Sequence, residues 1–236
     1  MLTHAILAAG RGTRLFGSSG GNKAMTRLGE GHLIDYVVRE VEALAPDVTI
    51  VLVPEADQSI IRRVQALTSS RVIPVPSPSD GTGPGVRRLL AHASSDFIAL
   101  STCDLVAPRG NLTSFTTLAH SLVTTDLARC VVATSAIDES DPVPIYVHAT
   151  NSVVTEYGKL ASSSQRSFAG ARLMNAAFAN TLLQLDDELS TDTAMMGSIV
   201  AEHPGSVLHL DVDGLFDVDD HRALARAAAL TREDRV

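Results

Sequence analysis

Short apolar runs alternate with amphipathic stretches through most of the chain. "HAIL" (4–7) has the length and density of a buried strand, and "VTIVLV" (48–53) and "DFIALSTCD" (96–104) repeat it. Between them, "HLIDYVVREVEALA" (32–45) places Ile34, Val37, Val38, Val41 and Leu44 on one helical face. "QSIIRRVQALTSS" (58–70) and "GVRRLLAHA" (85–93) predict two further helices, and "RVIPVP" (71–76) a short edge-like strand. Helix-like "LTSFTTLAHSLV" and strand-like "CVVATSAI" follow. After a less regular stretch come two helices, "NAAFANTLLQL" and "TDTAMMGSIVAEH", a strand, "SVLHLDV", and a closing helix, "DDHRALARAAAL".

This βαβα order predicts an α/β protein with a mainly parallel sheet covered on both faces. Right-handed crossovers put the strand-to-helix loops on one edge, where ligands bind in open α/β sheets. Residues 8–23, 77–84 and 104–110 are therefore expected to gather there. Residues 138–175 carry polar breaks, a candidate hairpin and a serine run, and are expected to form a smaller lobe or a long insertion. With no internal repeat and no long linker, the expectation is one domain over residues 1–236.

Composition removes several function classes. The 236 residues are 45% apolar with a formal charge of −8 and no Trp, which argues against a nucleic-acid binder, both as a phosphate-backbone partner and as a base-stacking platform. No run of 18 apolar residues occurs, so no membrane span is expected. The amino terminus enters a strand at once and does not read as a signal peptide. Cys103 and Cys130, with no CxxC spacing, fit reduced thiols and a cytoplasmic setting. Only Lys23 and Lys159 are lysine among 19 basic residues, so a lysine that closes a glycine-rich stretch stands out.

That stretch, "LAAGRGTRLFGSSGGNK" (7–23), combines bare backbone with cations. Glycine lets N–H groups turn toward an anion, arginine adds a fork for phosphate oxygens and lysine a mobile point charge. A Walker A loop fails on spacing: Gly17 to Gly21 is one residue too tight, and Ala24 follows Lys23 where a hydroxyl is required. A dinucleotide fingerprint fails as well, since Leu15 and not glycine follows Gly10-x-Gly12 and Glu55 lies too far along.

The stretch closely resembles the LAAGxGTRL…PK signature of the sugar-phosphate nucleotidyltransferase family, which includes the MobA-like NTP transferases. Asn22 replaces the usual proline, a variant shared with the subgroup resembling the molybdenum-cofactor guanylyltransferases. "DGTGPGVRRLL" (80–90) resembles the family's second nucleotide loop, "STCDL" (101–105) its metal-binding strand end, and "GLFDVDDHRALARA" (214–227) its closing motif. The resemblance implies a three-layer α/β/α, Rossmann-like fold with a predominantly parallel mixed sheet. It divides the domain into a nucleotide-binding part over about 1–110, an acceptor-binding lobe over about 138–175 and a closing metal motif at 214–227.

The implied reaction moves a nucleoside monophosphate from a nucleoside triphosphate to a phosphorylated small molecule, with Mg²⁺ and release of pyrophosphate. A sugar 1-phosphate is the commonest acceptor, and phosphoesters and phosphonates are others. Leu7, Ala8, Ala9, Gly10, Gly12, Thr13, Gly81, Thr82 and Gly83 would contact the nucleotide. Arg14 would hold the β- and γ-phosphates and Lys23 the α-phosphate. Asp104 and Asp217 would ligate magnesium, with Asp219 as the alternative second ligand, while Asp219 or Asp220 caps the last helix. Lys159 and Arg166 would be the cations of the acceptor region. Pro76 stands where uridylyl-transferring relatives carry glutamine, which disfavours UTP. Family members often pair, so a homodimer stays open.

Two other classes compete. A glycosyltransferase would carry DxD after a central strand, whereas "TCDL" has one aspartate and "DVD" (211–213) and "DVDD" (217–220) come late. A nucleotide-sensing module without catalysis would keep the glycines and lose Arg14, Lys23 or a metal carboxylate; all of them are present.

Overall fold

In chain order the first half builds β1 (Leu2–Leu7), α1 (Thr13–Phe16), a 3-10 turn (Lys23–Met25), β2 (Arg27–Leu28), β3 (Gly31–His32), α2 (Leu33–Glu42) and β4 (Val48–Pro54). It continues with α3 (Gln58–Gln65), β5 (Arg71–Ser77), α4 (Thr82–His92), β6 (Phe97–Thr102), β7 (Leu105–Val106) and α5 (Asn111–Thr124). The second half adds β8 (Cys130–Ala136), β9 (Tyr146–Thr150), β10 (Val153–Gly158), β11 (Arg166–Asn175) and α6 (Ala176–Gln184). Then come α7 (Asp192–Glu202), β12 (Val207–Asp211), β13 (Phe216–Asp217) and α8 (His221–Glu233). This computed structural model describes the chain except residues 11, 17–20, 55–56, 78–80, 138–143, 160–165 and 234–236.

Nine strands make one sheet in the order β5-β4-β1-β6-β11-β8-β12-β10-β9. β5, β4, β1 and β6 run parallel, as the alternation of strands and helices predicts. β11 runs antiparallel to β6 and β8, and β12 parallel to β8. Successive strand residues face opposite ways. Ala5, Ile50 and Leu52 pack with Val86 and Leu89 of α4, Phe178 of α6 and Met195 of α7. Ile6, Ala8, Val51 and Val53 pack with Ile34 and Val38 of α2 and Ile60 of α3. Among the described residues no helix is long and apolar enough to cross a membrane.

Residues 138–175 depart from the expectation of a lobe or insertion. Their described part forms the β9–β10 hairpin at one edge and β11 in the middle of the main sheet. The reason is a charge inside the core. Arg172, at the centre of β11, is fully buried and interrupts an otherwise apolar run. Asp192, the first residue of α7, accepts from both its Nη atoms, Nη1 to Oδ2 at 2.8 Å and Nη2 to Oδ1 at 2.6 Å. Gly170 breaks the pattern again, at φ +71° in the bulge between Phe168 and Arg172.

A buried ion pair gains little over apolar packing, but stranding one partner is costly. Arg172→Met should lower the free energy of unfolding by about 3–5 kcal/mol; adding Asp192→Leu should restore most of it, as read by urea unfolding. His4 gives a second test. Buried on β1 with its Nε2 against Ser101 Oγ at 2.9 Å, its imidazole is pushed by burial down to about 3 from the ordinary 6.5. The unfolded chain then binds a proton that the fold refuses, so this contribution is complete above pH 6.5 and is lost as pH falls toward 3. In His4→Gln, the urea midpoint should decline less steeply with acidification over that interval than in the parent.

Candidate active site

The ends of parallel strands share one edge, and here they enclose a cavity of about 450 Å³. Leu7, Ala9 and Gly10 enter it from the end of β1, Thr102, Cys103 and Asp104 from the end of β6. Gly81 and Thr82 close it at the start of α4, and Lys23 reaches it from the 3-10 turn. The Lys23 ammonium is largely buried and pairs with both Asp104 and Asp219. Arg14, on α1, pairs with the same Asp219, Nη1 to Oδ2 at 2.7 Å.

Asp217 arrives by a separate device. β13 pairs antiparallel with β7, which sets Asp217 opposite Leu105, and the Val218 N–H donates to the Asp104 carbonyl at 3.0 Å. The closing motif is thereby fastened beside the end of β6. Thr102 Oγ1 donates to Asp217 Oδ1 at 3.3 Å. Asp217, Asp219 and Arg14 also line a second cavity of about 330 Å³, which continues to Ser135, Ser167 and Phe168. No residue lines both cavities, but the Lys23–Asp219 pair and the Thr102–Asp217 hydrogen bond link the lining of one to that of the other.

Electrostatics at this junction are uneven. Burial alone would lower the Lys23 ammonium, but Asp104 and Asp219 outweigh it and hold Lys23 above its ordinary value. Burial pushes the Asp217 carboxyl well above the usual range; Asp104 and Asp219 add to this, and Lys23 opposes it. Cys103 lines the first cavity, and burial pushes its thiol up, away from the nucleophilic thiolate form.

The expected contacts separate into three groups. Leu7, Ala9, Gly10, Gly81, Thr82, Lys23 and Asp104 line the first cavity, and Arg14 and Asp217 the second. Ala8 is instead buried in the core, its N–H donating to the Leu52 carbonyl at 3.0 Å, because successive strand residues alternate faces. Gly83 is turned away too: its N–H donates to Ser190 O at 3.2 Å, so it presents no donor to a nucleotide. Gly12 lines neither cavity; its carbonyl accepts from Leu15 and Phe16 and starts the α1 turn that carries Arg14. The side chain of Thr13 lies outside the described residues, as does Arg11.

Lys159 is exposed at the end of β10 and lines neither cavity. Arg166 lines neither as well, and its guanidinium is forked onto Asp211, Nε to Oδ1 at 2.7 Å and Nη2 to Oδ2 at 2.7 Å. Of the two aspartates expected at the last helix, Asp220 is the cap, its Oδ1 accepting from the Ala223 N–H at 2.8 Å. Asp219 is the anion shared by Arg14 and Lys23, a role the sequence reading missed. Its position two residues after Asp217 on an extended segment was the available signal. Among the described residues no group of three His, Cys, Asp or Glu side chains is placed to share a metal ion. Asp104 and Asp217 form a pair of hard-oxygen donors.

Residues 4–177 match the family model of the MobA-like NTP transferase domain. No curated protein matches the sequence significantly. The fold is similar to that of the inositol-1-phosphate CTP transferase from T. maritima, with a TM-score of 0.80 at 16% identity, covering 98% of this chain and 95% of that one. A Bacillus anthracis protein assigned as a glucose-1-phosphate thymidylyltransferase, in complex with a sucrose, gives 0.81 at 15% identity over 99% and 96%. A UDP-glucose pyrophosphorylase complexed with UDP-glucose gives 0.78 at 13% identity over 100% of both chains.

The glycines make a sharp contrast that can be measured. A Cβ on Gly10 would meet nothing within 4 Å, whereas one on Gly83 would lie 2.6 Å from the Leu189 carbonyl oxygen. Gly10→Ala should change the unfolding free energy by no more than about 0.5 kcal/mol, and Gly83→Ala should cost roughly 1–3 kcal/mol. Denaturant unfolding of both variants decides whether Gly10 serves the backbone or the open space in front of it.

Proposed function

We propose that this chain, which belongs to the MobA-like NTP transferase domain family, moves a nucleoside monophosphate group from a nucleoside triphosphate to a phosphorylated small molecule and releases pyrophosphate. The observation that carries this reading is the carboxylate that links the two cavities. Lys23, on the first, and Arg14, on the second, are joined by one carboxylate, that of Asp219. A triphosphate reaching from the first cavity toward the second would meet both cations there.

The chemistry asks little of the protein beyond position and charge. An acceptor phosphate oxygen forms a bond to the α-phosphorus. The bond from that phosphorus to the oxygen bridging toward the β-phosphorus breaks, and its electron pair leaves with pyrophosphate. The nucleophile is already an anion, so no general base is required. Lys23 offsets charge at the α-phosphate and Arg14 at the departing phosphates, each exchanging Asp219 for phosphate oxygen. Gly10, Gly81 and Thr82 flank the nucleoside, and the open space before Gly10 lets a ligand approach the backbone.

Asp104 and Asp217 suit magnesium, which takes one or two carboxylates and fills its remaining positions from phosphate and water. Burial first and then the Asp104 charge disfavour an ionised Asp217, and a divalent cation held by both carboxylates would offset that. When bound, the ion supplies positive charge to the phosphate oxygens. We further read the chain as one nucleotidyltransferase domain over residues 1–236 with a three-layer, Rossmann-like arrangement.

Each of the four nucleoside triphosphates, with Mg²⁺, should be assayed against phosphorylated acceptors by pyrophosphate release. Lys23→Ala should lower turnover by about 100-fold or more, the scale of removing one preorganised charge stabiliser. Near-normal turnover in that variant would remove Lys23 from the mechanism.

A further inference from the structure

Lys23 needs more than its carboxylates. Once a phosphate takes the place of Asp219, only Asp104 of its two partners still holds the ammonium, so the backbone that carries it has to be fixed from elsewhere. The core grips the far side of the 3-10 turn. Ala24 is buried among Ile34 of α2 and Ile60 and Ile61 of α3, and the Thr26 carbonyl accepts from the Leu33 N–H at 3.0 Å. On the near side stands Asn22, whose carbonyl accepts from the Met25 N–H at 3.0 Å and whose Nδ2 donates to Asp57 Oδ2.

Asp57 is already organised when Asn22 meets it. It is the cap of α3, its Oδ1 accepting from the Ser59 N–H at 2.9 Å and from the Ser59 hydroxyl, which leaves Oδ2 for Asn22. Burial raises its carboxyl, but the hydrogen bonds from Ser59 and Asn22 outweigh this and keep it below the ordinary value, so the contact with Asn22 is charge-assisted. A helix cap after β4 thereby tethers the turn after β1. Asparagine is not what stability alone would place at position 22. Its Oδ1 is buried with no hydrogen-bond partner among the described residues, and an unpaired buried carbonyl is costly.

We propose that Asp57, acting through Asn22, is a positioning residue for Lys23 and sets where its ammonium stands against the α-phosphate. The catalytic half of this rests on the nucleotidyl-transfer reading above; the placement of Lys23 does not. Neither Asn22 nor Asp57 lines either cavity, and Lys23 is the group that reaches the ligand. A displaced Lys23 meets the charge that grows at the α-phosphate less well, so loss of the tether weakens the transition state more than triphosphate binding.

The test uses the full chain with each nucleoside triphosphate, Mg²⁺, and glucose 1-phosphate or inositol 1-phosphate as acceptor. Asp57→Ser keeps a good helix cap but is too short to reach Asn22, and Asn22→Ala removes the donor and the unpaired oxygen together. In both, the urea midpoint should stay near the parent's, kcat for pyrophosphate release should fall about tenfold or more, and KM for the triphosphate should move by less than about threefold. Asn22→Asp, which sets two carboxylates face to face, should be as slow. Adding Asp57→Asn to it reverses donor and acceptor and should recover most of the rate. A second readout needs no turnover. The chain has two lysines, so ¹³C-labelled lysine gives two sets of side-chain signals, with the exposed Lys159 as internal standard. In Asp57→Ser the Lys23 signals should shift while those of Lys159 stay, and the reversed pair should return them toward the parent's. Unmoved Lys23 signals, an unchanged kcat, no recovery in the reversed pair, or a loss of rate that tracks a loss of urea stability overturns the proposal. If the triphosphate binds but neither acceptor is used, the Lys23 signals decide alone. If calorimetry shows no triphosphate bound with Mg²⁺ while the Lys23 signals respond as expected, the nucleotidyl-transfer reading falls and the placement of Lys23 by Asp57 stands.

Discussion

Lys23 cannot be placed in this structure without Asp104 and Asp219. A nearly buried ammonium is costly unless it is paired, and its two partners come from distant parts of the chain, the end of β6 and the segment before α8. The pairing therefore does more than satisfy a charge. It requires that the turn after the glycine-rich loop, the end of the central strand and the closing motif occupy one place. The β7–β13 ladder meets the same requirement by backbone hydrogen bonds and adds Asp217 to the group. Once these constraints are met, Arg14 follows, because α1 begins within the same loop and reaches the free side of Asp219.

The resulting cluster is unbalanced in a useful direction. Two cations, Arg14 and Lys23, face three carboxylates, Asp104, Asp217 and Asp219, and the strain shows in Asp217, whose ionisation burial and its neighbours suppress. Asp219 is the most exposed carboxylate of the Lys23 pairs, at 38% against 10% for Asp104. It is the partner an incoming phosphate can displace at least cost, since an exposed ion pair is worth little. Asp104, more deeply set, stays with Lys23. The same geometry thus separates a structural anion from an exchangeable one.

Much of this was legible before any coordinates. Parallel strands put their exits on one edge, so a regular alternation of strands and helices already brings residues 8–23 and 77–84 to Asp104, and the dense LAAGxGTRL motif attaches a chemistry to them. The failures have physical causes. β11 was hidden because Arg172 and Gly170 interrupt its apolar run, and nothing in the local pattern reveals that Asp192 neutralises the one and a bulge absorbs the other. Cations near the expected acceptor region drew attention to Lys159 and Arg166, but sequence distance says nothing about which carboxylate already holds a guanidinium. The wall of the second cavity joins the closing motif, from Gly214 to Arg226, to Ser135 and Ala136 of β8 and Ser167 to Ala169 of β11, and no motif marks the strand residues.

Glycine richness, read from sequence as one signal, has two causes here. Gly10 fronts open space at the cavity, whereas Gly81 and Gly83 are small because the chain at 189–190 crosses directly over them, with Ser190 O 2.8 Å from where a Gly81 Cβ would be. That crossing is itself anchored. Asp192 gives its backbone N–H to Thr82 Oγ1 at 3.1 Å and its carboxylate to the buried Arg172. A continuous path of hydrogen bonds thus runs from the middle of the sheet, through the start of α7, to the loop that borders the first cavity. Replacing the buried pair with apolar residues would leave the Thr191 cap and the Asp192 N–H contact to Thr82 in place but remove the directional tie between β11 and the start of α7.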